Sequence, residues 1–121
     1  MMVPSFLLKR LYVKGSLKPT ADGFEFTVLN QLGSGYARQM LPVTLDGEKM
    51  ALDRTYFRRS GGDEILFSQV DEQQPFTLEV GKALAIGVRG VSLPSGAHKV
   101  GLGFVVQGIG ALSFEVSDIV E

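Results

Sequence analysis

Acid–base and nucleophilic chemistry need a titratable group within reach of a nucleophile. This chain offers one histidine, His98, and no cysteine. His98 follows a Pro94-Ser95-Gly96 turn and shares strand parity with Val100 and Leu102. That places it at the rim of a core, either capping the edge or reaching a ligand from an end loop. The lack of cysteine excludes disulfides and thiolate zinc sites. Carboxylates alone remain for a metal, and the adjacent pairs Asp63-Glu64 and Asp71-Glu72 would point apart on a strand. Asp46, Glu48, Asp53, Glu79 and Glu115 could supply the paired carboxylates of glycoside hydrolysis. Each, however, sits at a turn or an outward strand position. Gly33-Ser34-Gly35 and Gly101-Leu102-Gly103 lack the following helix that phosphate binding uses. We therefore assign no catalytic residue, metal ligand or cofactor to this chain; His98 is kept as a candidate ligand contact.

The elements that would position these residues are strands. Apolar residues recur at every second position in Leu11-Val13-Gly15-Leu17, Phe24-Phe26-Val28, Leu41-Val43-Leu45, Phe76-Leu78-Val80, Val100-Leu102-Phe104-Val106 and Leu112-Phe114-Val116. Successive strand side chains point to opposite faces, so each set reads as the buried face of a half-exposed strand. Asp22-Gly23 and Asp46-Gly47 read as hairpin turns, and Gly61-Gly62-Asp63, Pro94-Ser95-Gly96 and Gly108-Ile109-Gly110 as further reversals. The expectation is a single domain over residues 1–121, an all-β, immunoglobulin-like antiparallel sandwich of about eight or nine strands. Leu32 to Met40 shows no clear alternation and reads as a loop or one helical turn. The last hairpin falls into register if Phe104 faces Phe114 and Leu102 faces Val116.

Twelve basic residues stand against thirteen acidic ones, a net charge of −1. No patch of one sign emerges, which argues against nucleic acid as a partner. Val3 to Leu8 is too short for a signal-peptide core, and no window reaches the roughly 20 apolar residues of a membrane span. With no cysteine, a cytoplasmic protein that avoids membranes is expected.

One face departs from the usual pattern. Opposite Val100, Leu102 and Phe104 lie Gly101 and Gly103; opposite Leu84, Ile86 and Val88 lie Ala83, Ala85 and Gly87. An open sheet face ordinarily carries Thr, Lys or Glu, and glycines there mark close approach of another backbone. Either the chain's own N-terminal segment or a long loop lies across these strand backs, or another protein chain packs there; on the second reading Ala83, Ala85, Gly87, Gly101 and Gly103 are candidate partner-facing residues. Phe6, Leu7, Tyr36, Arg38 and Met40 join them, as apolar, aromatic and arginine side chains in a terminus and a loop.

Certain phrases resemble the small β-subunits of C-glycoside deglycosidases. They are Leu11-Tyr12-Val13-Lys14-Gly15-Ser16-Leu17, then Gly23-Phe24-Glu25-Phe26 and Leu29-Asn30, Val43-Thr44-Leu45-Asp46-Gly47-Glu48, and Leu93-Pro94-Ser95-Gly96-Ala97-His98-Lys99-Val100. The resemblance implies a β-sandwich accessory subunit of a carbon–carbon lyase acting on 3-oxo-sugar C-glycosides. Its partner would be a TIM-barrel, sugar-isomerase-like α-subunit holding manganese, in a hetero-oligomer, with all catalytic residues on that partner. The other reading is a free-standing carbohydrate- or protein-binding sandwich without catalysis.

Overall fold

A computed structural model describes residues 4–33, 35–59 and 62–121. Val3, Ser34 and Gly61, which belong to features named above, lie outside these residues. Among the described residues there are eleven strands, three 3₁₀ turns and one short α-helix, α1 (Ser5–Leu8). The strands are β1 (Lys18–Pro19), β2 (Gly23–Leu29), β3 (Gly35–Met40), β4 (Thr44–Leu45), β5 (Glu48–Lys49) and β6 (Thr55–Arg59). They continue with β7 (Glu64–Leu66), β8 (Phe76–Leu78), β9 (Ala83–Arg89), β10 (Gly96–Val106) and β11 (Gly110–Val120). The first sheet has the order β1-β2-β9-β6-β7. In the second, β11 takes one whole flank of β10, and β3 and β4 share the other flank end to end.

The alternating residues do what their period demands. Phe24, Phe26 and Val28 of β2, Phe57 of β6 and Ile86 of β9 meet Phe76 of β8 and Val100 and Phe104 of β10 in one buried cluster. Phe57 and Phe76 pack edge to face across the two layers, centroids 4.9 Å apart. The all-β sandwich is the expected one. The strand count exceeds the expected eight or nine because pieces of two or three residues, such as β1, β4, β5 and β7, pair without room for visible alternation. The Asp46-Gly47 hairpin forms as read, with φ of 53° and 85° at its two central residues.

Three expectations are corrected. Leu11 to Leu17 is not a strand: Leu11 ends a 3₁₀ turn, Tyr12 makes a single bridge to Val28, and the chain turns at Gly15 with φ 85°. Leu32 to Met40 is neither loop nor helical turn through most of its length but contains β3. Its alternation is broken by a bulge against β10, where Val106 faces Ala37 and Val105 faces Gln39, so Ala37 and Met40 both point inward three positions apart. The last hairpin is shifted by two residues, with Phe104 facing Leu112 and Leu102 facing Phe114. The chain reverses over Gln107 to Ile109, closed by the Ile109 amide donating to the Val106 carbonyl at 3.1 Å, with Gly108 at φ 82°. The inward parity is kept because the shift is even.

Candidate functional site

The polar clusters come first, because they decide where chemistry is closed off. His98 is buried, with Nδ1 2.7 Å from Asp46 Oδ2 and Nε2 2.8 Å from the Pro94 carbonyl. Asp46 also accepts the Lys99 amide at 2.9 Å. The Asp46 carboxylate, then the Pro94 carbonyl, push the His98 pKa up; the His98 hydrogen bond pulls Asp46 down. Both ring nitrogens face acceptors, so the imidazolium braces the β4–β5 turn against the loop before β10. With Nε2 donating to a carbonyl, the Asp–His pair has no free lone pair with which to take a proton from a nearby hydroxyl.

A second cluster covers the outer face of the first sheet. In register across β2, β9 and β6 stand Glu25, Gly87 and Tyr56. The Tyr56 ring lies across Gly87, and its hydroxyl donates to Glu25. Arg58 grips the same carboxylate with two nitrogens, at 2.9 and 3.0 Å. Arg89 stacks 4.1 Å from the Tyr56 centroid and reaches Glu64 at 2.5 Å. Burial works against the Glu25 charge, but Arg58 and Tyr56 outweigh it and hold the carboxyl below its usual range. Burial, and then the Glu25 carboxylate, push Tyr56 up to about 12.

A third cluster ties the chain's beginning to its end. Asp118 of β11 accepts the Tyr12 hydroxyl at 2.5 Å and the amides of Gly15 and Leu17. Among the described residues, no three His, Cys, Asp or Glu side chains gather into a metal cage.

Two of the concavities bear on the candidate residues. An apolar cleft of about 410 Å³ enters the sandwich where α1, β3 and the β10–β11 hairpin meet. Leu8, Leu11, Phe76, Leu78 and Phe104 wall it, and Leu32, Tyr36 and Ile109 stand half-exposed at its edge. Its one buried polar side chain, Asn30, donates to the Gly33 and Leu78 carbonyls and accepts the Leu32 and Gly33 amides. The second concavity is a shallow groove of about 520 Å³ on the outer face of the second sheet. Gly101 and Gly103 form its floor, Leu41 and Thr44 one bank, Ser113 and Glu115 the other.

The candidate partner-facing residues separate accordingly. Gly101 and Gly103 line the groove, and Tyr36 lines the cleft. Phe6 is 65% exposed on α1, Leu7 is half-buried beside it, and Arg38 is exposed on β3. Met40 is buried in the core, and Gly87 lies under Tyr56. Ala85 is half-buried and Ala83 exposed on β9. Sequence reasoning missed Glu25, Asn30, Asp118 and the cleft itself. A carboxylate between two phenylalanines, as Glu25 is, was the only visible sign.

Fold and surfaces together define a β-sandwich domain with braced polar clusters, one apolar cleft and one glycine-floored groove. The family model of the hydroxymethylglutaryl-CoA reductase N-terminal domain matches residues 7–121, and the chain belongs to that family. Comparison with curated proteins gives no match. The family match overturns the likeness to C-glycoside deglycosidase β-subunits. With it go the lyase and carbohydrate-metabolism reading and the TIM-barrel, sugar-isomerase-like partner, on which the manganese expectation wholly rested. The phrases behind that likeness were strands and turns, which a hairpin-built sandwich demands of many unrelated sequences. No helix among the described residues is long and apolar enough to cross a membrane.

Proposed function

We propose that this sandwich is a docking domain in a hydroxymethylglutaryl-CoA reductase-type protein, and that the remainder of the reductase seats on the groove over Gly101 and Gly103. The observation that carries the reading is the groove's floor. Two outward positions of the central strand β10 are glycines sunk between the banks Leu41–Thr44 and Ser113–Glu115. A floor without side chains keeps the groove low, and its mixed apolar and polar banks suit a domain–domain contact. At Gly101 the chain's own Thr44 already claims the space. At Gly103, which is buried, an added Cβ would meet the end of Leu41 at 3.0 Å and Ser113 Cβ at 3.2 Å, so a partner would bear on the banks that flank this glycine.

The test is Ser113→Arg, on the exposed bank beside Gly103, in the chain co-expressed with a reductase catalytic polypeptide. Loss of co-purification with an unchanged melting temperature supports the reading. A complex that survives the substitution, or reduction of hydroxymethylglutaryl-CoA by the isolated chain, overturns it.

A further inference from the structure

The apolar cleft lies at the end of the sandwich, on different residues from the groove, and owes nothing to the docking reading. Its origin is legible in β3. Gly35 faces Leu78 and Ala37 faces Phe76 in register, so the two small residues share one side of the strand, Ala37 buried and Gly35 exposed at the strand's end. A Cβ built on Gly35 would meet nothing within 4 Å. The end of β3 therefore leaves open space beside Leu78, which a full-sized side chain at residue 35 would narrow.

The chemistry of the walls restricts what fits. The buried polar side chain there, Asn30, has both its donors and its acceptor engaged by the chain's own backbone. A sugar or nucleotide would lose its hydrogen bonds on such walls, whereas a hydrocarbon loses none. The volume of about 410 Å³ falls within the range of small-molecule pockets. Basic residues adjoin the wall residues along the chain. Lys9 and Arg10 lie in the chain between the wall residues Leu8 and Leu11, and Arg38 follows Ala37. All three are exposed, none is in an ion pair among the described residues, and no carboxylate lines the cleft.

We propose that the cleft binds a hydrocarbon chain ending in an anionic group, of the fatty carboxylate class, with the chain between the sheets and the head group among Lys9, Arg10 and Arg38.

Calorimetric titration of the full chain with octanoate, decanoate and decanol tests this. Each added methylene should tighten binding about fourfold while it still enters the cleft, so decanoate should exceed octanoate about sixteenfold. The double variant Lys9→Glu, Arg10→Glu should weaken decanoate and leave decanol unchanged. Gly35→Leu adds a side chain in the open space beside Leu78 and should weaken both by roughly tenfold or more without lowering the melting temperature. Should Gly35→Leu fail to fold, Ile109→Asp at the exposed edge serves in its place and should weaken decanoate. The proposal is overturned by an absence of binding to wild type below the micellar range, by equal affinity for decanoate and decanol, or by undiminished binding in the folded cleft variant.

Discussion

Tyr56 and Gly87 face one another across β6 and β9, and the tyrosine ring occupies the space that a side chain on residue 87 would need. The relationship explains a glycine in the middle of a central strand, where glycine ordinarily weakens a sheet. The ring shields the bare backbone and carries its hydroxyl one strand further, to Glu25 on β2. Three strands are thus clamped by one side chain. The small-residue back that suggests a foreign polypeptide is, at this position, filled from within. Gly87→Ala should force the ring off Glu25 and cost about 1–3 kcal/mol, the range for overpacking. Chemical denaturation of the two proteins measures the difference.

The same cluster makes a prediction at high pH. The folded pKa of Tyr56, about 12, lies above the unfolded value near 10. Its contribution is therefore fully present below about pH 10 and is lost as pH rises from there through the folded value. Tyr56→Phe should remove that portion of the alkaline loss of stability. Melting temperatures of the two proteins between about pH 9 and 11 provide the check.

The linear pattern carried the fold where side chains alternate cleanly, as in β2 and β10, and where turn residues dictate geometry, as at Asp46-Gly47. It failed at β3, because a bulge places Ala37 and Met40 inward at a spacing that belongs to neither strand nor helix. The polar clusters were out of reach for another reason. Glu25 and Arg58 stand 33 residues apart and meet only because β9 inserts between β2 and β6. The cleft escaped notice because small residues at 35 and 37 look like loop composition until β8 sets their register.

Asp118 and Tyr12 close the edge of the sandwich between β2 and β11, joining residues 106 apart in sequence. Burial opposes the Asp118 charge, but the Tyr12 hydroxyl and the amides of Ile119, Leu17 and Gly15 outweigh it and depress its pKa. A depressed carboxyl stabilises the fold above its unfolded pKa, near 3.9, and that stability is lost as pH falls through the folded value. Asp118→Ala strands the buried Tyr12 hydroxyl and should cost about 2–3 kcal/mol at neutral pH. The acid limb of its stability–pH curve should also be flatter than that of wild type.

His98 gives the opposite slope near neutrality. Its folded pKa is raised by Asp46 and the Pro94 carbonyl, so its contribution is complete below the unfolded value of about 6.5 and is lost as pH rises through the folded one. Asp46, whose pKa is depressed chiefly by the same hydrogen bond, contributes above about 3.9 and loses its share as pH falls. The pair is therefore at its strongest between roughly pH 4 and 6.5. His98→Gln keeps a side chain of similar reach but cannot carry the positive charge that donates to both acceptors at once. Its melting temperature should fall furthest below wild type near pH 5.5, below the unfolded value of about 6.5, and approach it as pH rises through the raised folded value. A deficit that stayed constant across this range would mean that His98 holds the Pro94 loop by shape alone, with its proton playing no part.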